Sequence, residues 1–228
     1  MKAALDRVLG LRDLTLIVIG TVIGSGIFLV PGAVLRQVDG HVGPMLVVWI
    51  TGGVLSVLGA LTYAELGAMY PTAGGLYVYL RQAFGPLTAF LYGWTFFLVI
   101  GSGSAATLAV ASASYLQEFI ALGPVGQKLS AILMLAVVAA INVRSTRRSA
   151  DVQNWSTGIK VAALLVISVV LLAAGHGFQE STTTMWPASF TPSLASGMGL
   201  GMISVLWAYE GWQNVTFSAG EVIAPPSL

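Results

Sequence analysis

The chain is expected to be an all-α integral membrane protein with about six membrane-spanning helices, the first and sixth of them broken. Three observations lead there. Of its 228 residues 56% are hydrophobic and only 8% charged, and mean hydropathy is +0.86, too little charge to cover a soluble protein of this size. The apolar residues gather in runs near the length of about 20 that a helix needs to cross a bilayer. Two of those runs, Leu14–Leu35 and Ser193–Ser218, are interrupted midway by Gly24-Ser25-Gly26 and by Ala208-Tyr209-Glu210-Gly211.

Residues 1–13 carry Lys2, Arg7 and Arg12 and are read as a cytoplasmic N-terminus. The apolar run that follows is too long for a signal-peptide core and lacks a clean small-residue cleavage site, so it is a retained first span. Its two glycines weaken a helix where lipid offers the freed backbone groups no replacement partner; the break must therefore face protein or a watery cavity. The second span, Pro44–Met69, is ended by Pro71, and Gly74-Gly75 permits a tight reversal into an amphipathic stretch suited to the membrane surface. The third, Pro86–Gln117, is longer than a crossing requires and implies tilt or an extension beyond the bilayer. The fourth, Lys128–Val143, is short, and a loop Asn142–Asp151 leads to the fifth, Trp155–Gly175. Residues 176–192, polar and rich in Ser and Thr, read as a solvated outer loop before the sixth span, and residues 219–228 as a short cytoplasmic end.

Basic residues orient the spans. With the N-terminus inside, seven lie on the inner face (Lys2, Arg7, Arg12, Arg81, Arg144, Arg147, Arg148) against two outside, Arg36 and Lys128. The net charge of +1 gives no argument for a nucleic-acid partner; the lipid bilayer is the partner the composition demands. There is no cysteine, and the two histidines, His41 and His176, lie near predicted loops, so neither a cysteine nor a histidine metal site is expected. No cofactor motif is present: Gly24-Ser25-Gly26-Ile27-Phe28-Leu29 lacks the third glycine of a dinucleotide loop and follows no strand. Nor is there a Gly-x-Ser-x-Gly elbow, and nothing else suggests an enzyme. Asn154-Trp155-Ser156 and Asn214-Val215-Thr216 match the glycosylation pattern, but the topology places one inside and the other in or near a span.

The first and sixth spans are separated by an odd number of crossings and so run in opposite directions, the relation of corresponding helices in inverted repeats. Residues 14–175 then form one five-helix repeat and residues 193–218 open a second, whose further helices are expected to be missing from the chain. Paired broken helices point to a mid-membrane site. The half-helix after Gly26 presents unpaired N–H groups at its positive end, suited to a carboxylate, and the half-helices before each break end in carbonyls suited to an ammonium group. Those two demands together describe the backbone of an amino acid, with Ser25 adding a hydroxyl to the carboxylate contact. Close helix packing is the other use of such small residues.

Two charges fall inside spans, where each costs about 2.5–3.5 kcal/mol on insertion scales. Lys160, in the fifth span, either snorkels to the inner interface or holds its ammonium against carbonyls freed near the first break, where it could change protonation during transport. Glu210, in the second break, has three candidate roles: pairing a cationic ligand group, capping Trp212-Gln213-Asn214, or coupling protons. Trp207 and Tyr209 are candidates to wall the site, with an interfacial position as the alternative. Glu65 is assigned a structural role near the inner end of the second span, paired with an inner-face arginine.

The motifs Ile23-Gly24-Ser25-Gly26-Ile27-Phe28, Tyr63-Ala64-Glu65-Leu66-Gly67, Pro71-Thr72-Ala73-Gly74-Gly75-Leu76-Tyr77, Ile159-Lys160 and Ala208-Tyr209-Glu210-Gly211-Trp212-Gln213-Asn214 resemble, in order, those of the amino acid–polyamine–organocation superfamily, in its L-type amino acid transporter-like branch. The resemblance implies a leucine-transporter-type fold. It implies that Val22, Ser25, Gly26 and Ile27 contact a substrate's carboxylate and amino groups, that Trp207 is an aromatic gate, and that Ala208, Tyr209, Glu210 and Gly211 form the unwound segment. It further implies that the Lys160 ammonium stands where sodium-coupled relatives bind sodium, hence sodium-independent exchange or proton-coupled uptake. Members commonly carry aspartate or a small residue where this chain has Glu210, and have about twelve spans where it has about six. The leading expectation is transport of an amino acid by alternating access, with the missing C-terminal helices as partner; self-association into a homo-oligomer is left open. The alternative is a membrane-embedded fragment or partner subunit that does not transport.

Overall fold

The computed structural model describes residues 7–144, 146–174 and 185–223; Lys2, Gly175, His176 and the expected C-terminal stretch Pro225–Leu228 lie outside them. The described chain is almost wholly helical. Five segments are long and apolar enough to cross a membrane: Leu11–Gln37, Val42–Met69, Pro86–Gln117, Pro124–Val143 and Arg147–Ala174. The protein is a multi-pass membrane protein. It divides into two compact units, residues 1–73 with 152–228, and residues 74–151.

In the first unit the opening span is two helices. α1 (Leu11–Val22) stops at Ile23, whose backbone leaves the helical region, and α2 (Gly26–Gln37) starts after Ser25. Pro31 lies within α2, in its second turn. α3 (Val42–Met69) follows, and α9 (Pro192–Ala208) begins with Thr191 as its cap, the hydroxyl accepting from the Leu194 N–H at 3.2 Å. α2, α3 and α9 enclose the core, in which Val30, Val34, Val48, Val205 and Ala208 are buried and Met45, Trp49, Met198 and Met202 pack around them. Backbones meet closely here because glycines face the crossings. Gly197 lies on the Gln37 carbonyl and Gly201 on Val34 of α2, while Gly52 of α3 receives Val205.

The sixth span differs from expectation. It is a helix of 17 residues that ends at Ala208, followed not by a second α-helix but by a 3-10 helix, Trp212–Glu221. Gly211, at φ +127°, begins that stretch in a conformation only glycine adopts without strain. Trp212 then crosses to α3, its ring edge against Gly59 and at a T-shaped 5.2 Å from Tyr63. Glu65 is exposed, and no ion pair to an arginine is recorded for it among the described residues.

In the second unit Gly74 and Gly75, both at positive φ, make the expected reversal into the short amphipathic helix α4 (Leu76–Phe84). Gly85 at φ +87° turns the chain again, and Pro86 opens α5 (Pro86–Thr95), on which Gly93 receives the Tyr77 ring. The third span is not uniform: a π-helical turn at Phe96–Gly101 joins α5 to α6 (Ser102–Gln117), and the Ser102 hydroxyl donates to the Leu98 carbonyl at 2.7 Å. Ala109 and Ala113 of α6 pack on Ala131 of α7 (Pro124–Arg144).

The expected loop Asn142–Asp151 is helical apart from Ser145, which is not described. α7 runs to Arg144 and α8 (Thr146–Ala174) begins nine residues before the predicted fifth span. Nothing in residues 142–151 breaks a helix, since neither Gly nor Pro occurs there, and Arg147 pairs with Asp151 one turn on, at 2.7 Å. From Val152 onward α8 belongs to the first unit.

Candidate functional site

The two breaks meet. Gly26, the buried first residue of α2, lies so close to α9 that a Cβ there would stand 2.9 Å from both Cα and Cβ of Ala208 and 3.5 Å from the Trp207 ring. Gly211 is equally tight on the other side: its Cβ would fall 2.7 Å from the Thr21 carbonyl oxygen. The Thr21 hydroxyl donates to the Gly211 carbonyl at 3.0 Å, joining the end of α1 to the end of the second break.

Each break leaves its helix ends polar. Val22 closes α1 and its carbonyl accepts the Gly24 N–H at 2.9 Å, while the Ser25 carbonyl accepts Phe28 and Leu29, both at 3.2 Å. Gly26 and Ile27 thus supply the first N–H groups of α2, which no preceding helical turn can satisfy. In the second break the Val205 carbonyl accepts Tyr209 at 3.0 Å and that of Trp207 accepts Glu210 at 3.2 Å. An N-terminal helix end and two C-terminal ends therefore come together, bringing opposite ends of helix dipoles to one place.

The side chains divide. Trp207 is 56% exposed, with its ring beside Gly26. The Tyr209 ring packs onto α3, its hydroxyl over Gly53 and its centroid at a T-shaped 5.6 Å from that of Trp49. The exposed Glu210 accepts from the Gln213 amide at 3.2 Å, and the Gln213 carbonyl oxygen takes the Gly211 N–H at 3.1 Å. These two bonds tie Glu210 and Gln213 across the turn into the 3-10 helix, and it is Gln213, not Glu210, that bonds a backbone N–H there.

Lys160 turns inward rather than snorkelling: its ammonium donates to the Gly20 carbonyl at 3.0 Å, one turn before the first break. It is one of three rungs between α8 and α1, and the other two are not expected from the sequence. The Thr157 hydroxyl contacts the Leu16 carbonyl at 3.2 Å, and the Asn154 amide donates to Asp13 at 2.7 Å. Gly20 makes this approach possible, for a Cβ there would collide with Thr157 and Gln153. The spacing of three from Asn154 to Thr157 to Lys160 is the signal that could have found them, as the small-xxx-small pair Gly197 and Gly201 is for the crossing of α2 and α9. Thr21 gives none; a threonine in an apolar helix most often bonds its own preceding turn, as this one also does to Ile17 and Val18.

Comparison with known proteins identifies the family. A family model described as amino acid permease matches residues 9–226. The b(0,+)-type amino acid transporter 1 of Rattus norvegicus is 37% identical over 231 residues, covering 97% of this chain and 46% of that protein. The Asc-type amino acid transporter 1 of Mus musculus is 32% identical over 98% of the chain and 43% of its own length. The serine/threonine exchanger SteT of Bacillus subtilis (strain 168) is 31% identical over 98% of the chain and 50% of its own. The chain thus spans about half the length of the curated relatives it matches. With the motifs in order along its length, it belongs to the amino acid permease family.

Proposed function

We propose that the chain forms the first wall of a mid-membrane amino acid site and takes part in transport by alternating access. The observation that carries this reading is the meeting of the two breaks at Gly26–Ala208 and Thr21–Gly211. A zwitterion needs an anion subsite and a cation subsite about one α-carbon apart, and opposed helix ends supply both without a charged side chain. The N–H groups of Gly26 and Ile27, with the Ser25 hydroxyl, take the carboxylate. Carbonyls at the end of α1 around Val22 and in Ala208–Gly211 take the ammonium. Gly24 keeps the linker flexible, and Trp207 covers the bound ligand. The relatives are named for amino acid transport or exchange, which accords with this class of ligand.

Transport is sodium-independent on this reading, by exchange or coupled to protons, because the Lys160 ammonium already supplies a cation to the Gly20 carbonyl. The N-terminus is cytoplasmic, in the cell's inner or plasma membrane, with Arg7, Arg12, Arg81, Arg144, Arg147 and Arg148 on the inner face. Uptake of radiolabelled amino acids by cells expressing the native coding sequence tests the proposal. Gly26→Val should abolish uptake while the protein still inserts; undiminished uptake would remove the carboxylate site.

A further inference from the structure

Asp13 is 6% exposed, the most buried acidic side chain described, and it lies outside the two breaks. Burying a carboxylate is expensive unless its oxygens are satisfied. Here Oδ2 accepts the Gly10 N–H at 3.0 Å and Oδ1 accepts the Asn154 amide of α8 at 2.7 Å. The residues just before Gly10 make a backbone clasp with the chain that follows the sixth span. Val8 and Leu9 both donate to the Glu221 carbonyl, at 2.9 and 3.0 Å, and Ile223 donates back to the Leu9 carbonyl at 2.9 Å. Leu9 and Val222 form a parallel bridge, and the Leu9 side chain is 1% exposed.

We propose that Asp13 is a positioning residue that couples this clasp to the fifth span, fixing the inner half-helix α1 between them. Its one oxygen sets the direction in which the chain leaves α1, and so whether Leu9 reaches Val222. Its other oxygen sets the rotation of α1 on α8, in line with the rungs at Leu16–Thr157 and Gly20–Lys160. A continuous chain of bonds therefore runs from Asn154 through Asp13 and Gly10 to residues 221–223. A change at Asn154 reaches a clasp that Asn154 does not touch. For transport, this rests on the site proposed above: the same coupling decides where the carbonyl end of α1 stands.

Amide hydrogen exchange on the 228-residue chain in lipid nanodiscs tests the coupling without requiring transport. In Asp13→Ala and in Asn154→Asp, which sets two carboxylates face to face, segments 8–10 and 221–223 should exchange at least about tenfold faster. The exchanged pair combines Asp13→Asn with Asn154→Asp. Its amide at position 13 accepts from the Gly10 N–H and donates to the carboxylate at position 154, so protection should return to within about twofold of the unaltered chain. A merely space-filling role for Asp13 gives no such recovery. Unchanged clasp protection in Asn154→Asp, or an exchanged pair no better protected than the single variant, overturns the proposal. Should the single variants fail to accumulate, recovery of the exchanged pair with a protected clasp supports it, and failure of the pair overturns it.

Discussion

The hydroxyl of Thr21 donates to the carbonyl of Gly211, a residue 190 positions away, at 3.0 Å. The bond joins the last turn of one half-helix to the far end of the opposite break, and the close approach needs a residue without a side chain on the far side. Gly211 allows this, with its positive φ and no Cβ, which would otherwise fall 2.7 Å from the Thr21 carbonyl oxygen. Two interruptions that the sequence pairs by the opposite directions of their spans are thereby in direct contact.

Removing the hydroxyl should loosen that feature without emptying space. Thr21→Val conserves shape and leaves the Gly211 carbonyl without its donor, which costs about 1 kcal/mol, or roughly 2–4 °C in thermal midpoint for a chain of this size. Thr21→Ser should recover most of it. Gly211→Ala should be worse than either, adding about 1–3 kcal/mol of backbone strain to a collision with Thr21. Thermal unfolding in detergent followed by tryptophan fluorescence ranks the variants, and equal midpoints for Thr21→Val and Thr21→Ser would remove the bond's importance.

The glycines of the first break should not be equivalent. A Cβ on Gly24 meets nothing within 4 Å, and its φ is not positive, so Gly24→Ala should be nearly neutral for stability. On Gly26 it would press into Ala208, and Gly26→Ala should cost about 1–3 kcal/mol by overpacking. Chemical or thermal denaturation of the two variants side by side distinguishes them, and a Gly24 variant as damaged as its neighbour would contradict this geometry.

A similar contrast holds on α9. Gly197 faces the Gln37 carbonyl of α2 with no room for a side chain, whereas a Cβ on Gly199 meets open space. Gly197→Ala should separate α2 from α9 and lower the yield of monodisperse protein on size exclusion, while Gly199→Ala should elute as the unaltered chain does. Identical profiles would mean that the crossing tolerates separation.

Much of this is legible in the residues, for reasons particular to each element. The span Pro86–Gln117 is bounded in sequence as in structure because Pro86 starts a helix, Gln117-Glu118 interrupts the apolar run, and Gly123-Pro124 opens the next helix. The break at Gly24-Ser25-Gly26 is visible because two glycines within three residues weaken a helix that lipid cannot repair. The π turn at Phe96–Gly101 is not visible, since Phe, Leu, Val and Ile carry the same apolar signal in either helix type. The helical course of residues 142–144 and 146–151 is obscured by charge, which marks an interface but not the end of a helix. Tyr209 reads as a wall because its neighbours in sequence belong to the break, while its ring is claimed by Gly52, Gly53 and Trp49 on α3. The spacing of Asn154, Thr157 and Lys160 marks one side of the rungs between α8 and α1, but nothing local marks Asp13 as the partner of Asn154.

Lys160 offers the sharpest functional test. Its ammonium satisfies the Gly20 carbonyl at the edge of the first break, and Lys160→Met keeps most of the stem while removing the donor. An orphaned carbonyl there costs about 1–3 kcal/mol, so the variant should lose stability and its uptake should fall by about tenfold or more. Arginine should not rescue it, because the planar fork is wider than the slot beside Gly20 that Thr157 and Gln153 already fill. In the unaltered protein, replacing external sodium with choline should leave uptake unchanged, since the cation at this carbonyl is supplied by the chain itself. A strict sodium requirement would overturn the sodium-independent reading, and full activity in Lys160→Met would reduce the lysine to a packing residue.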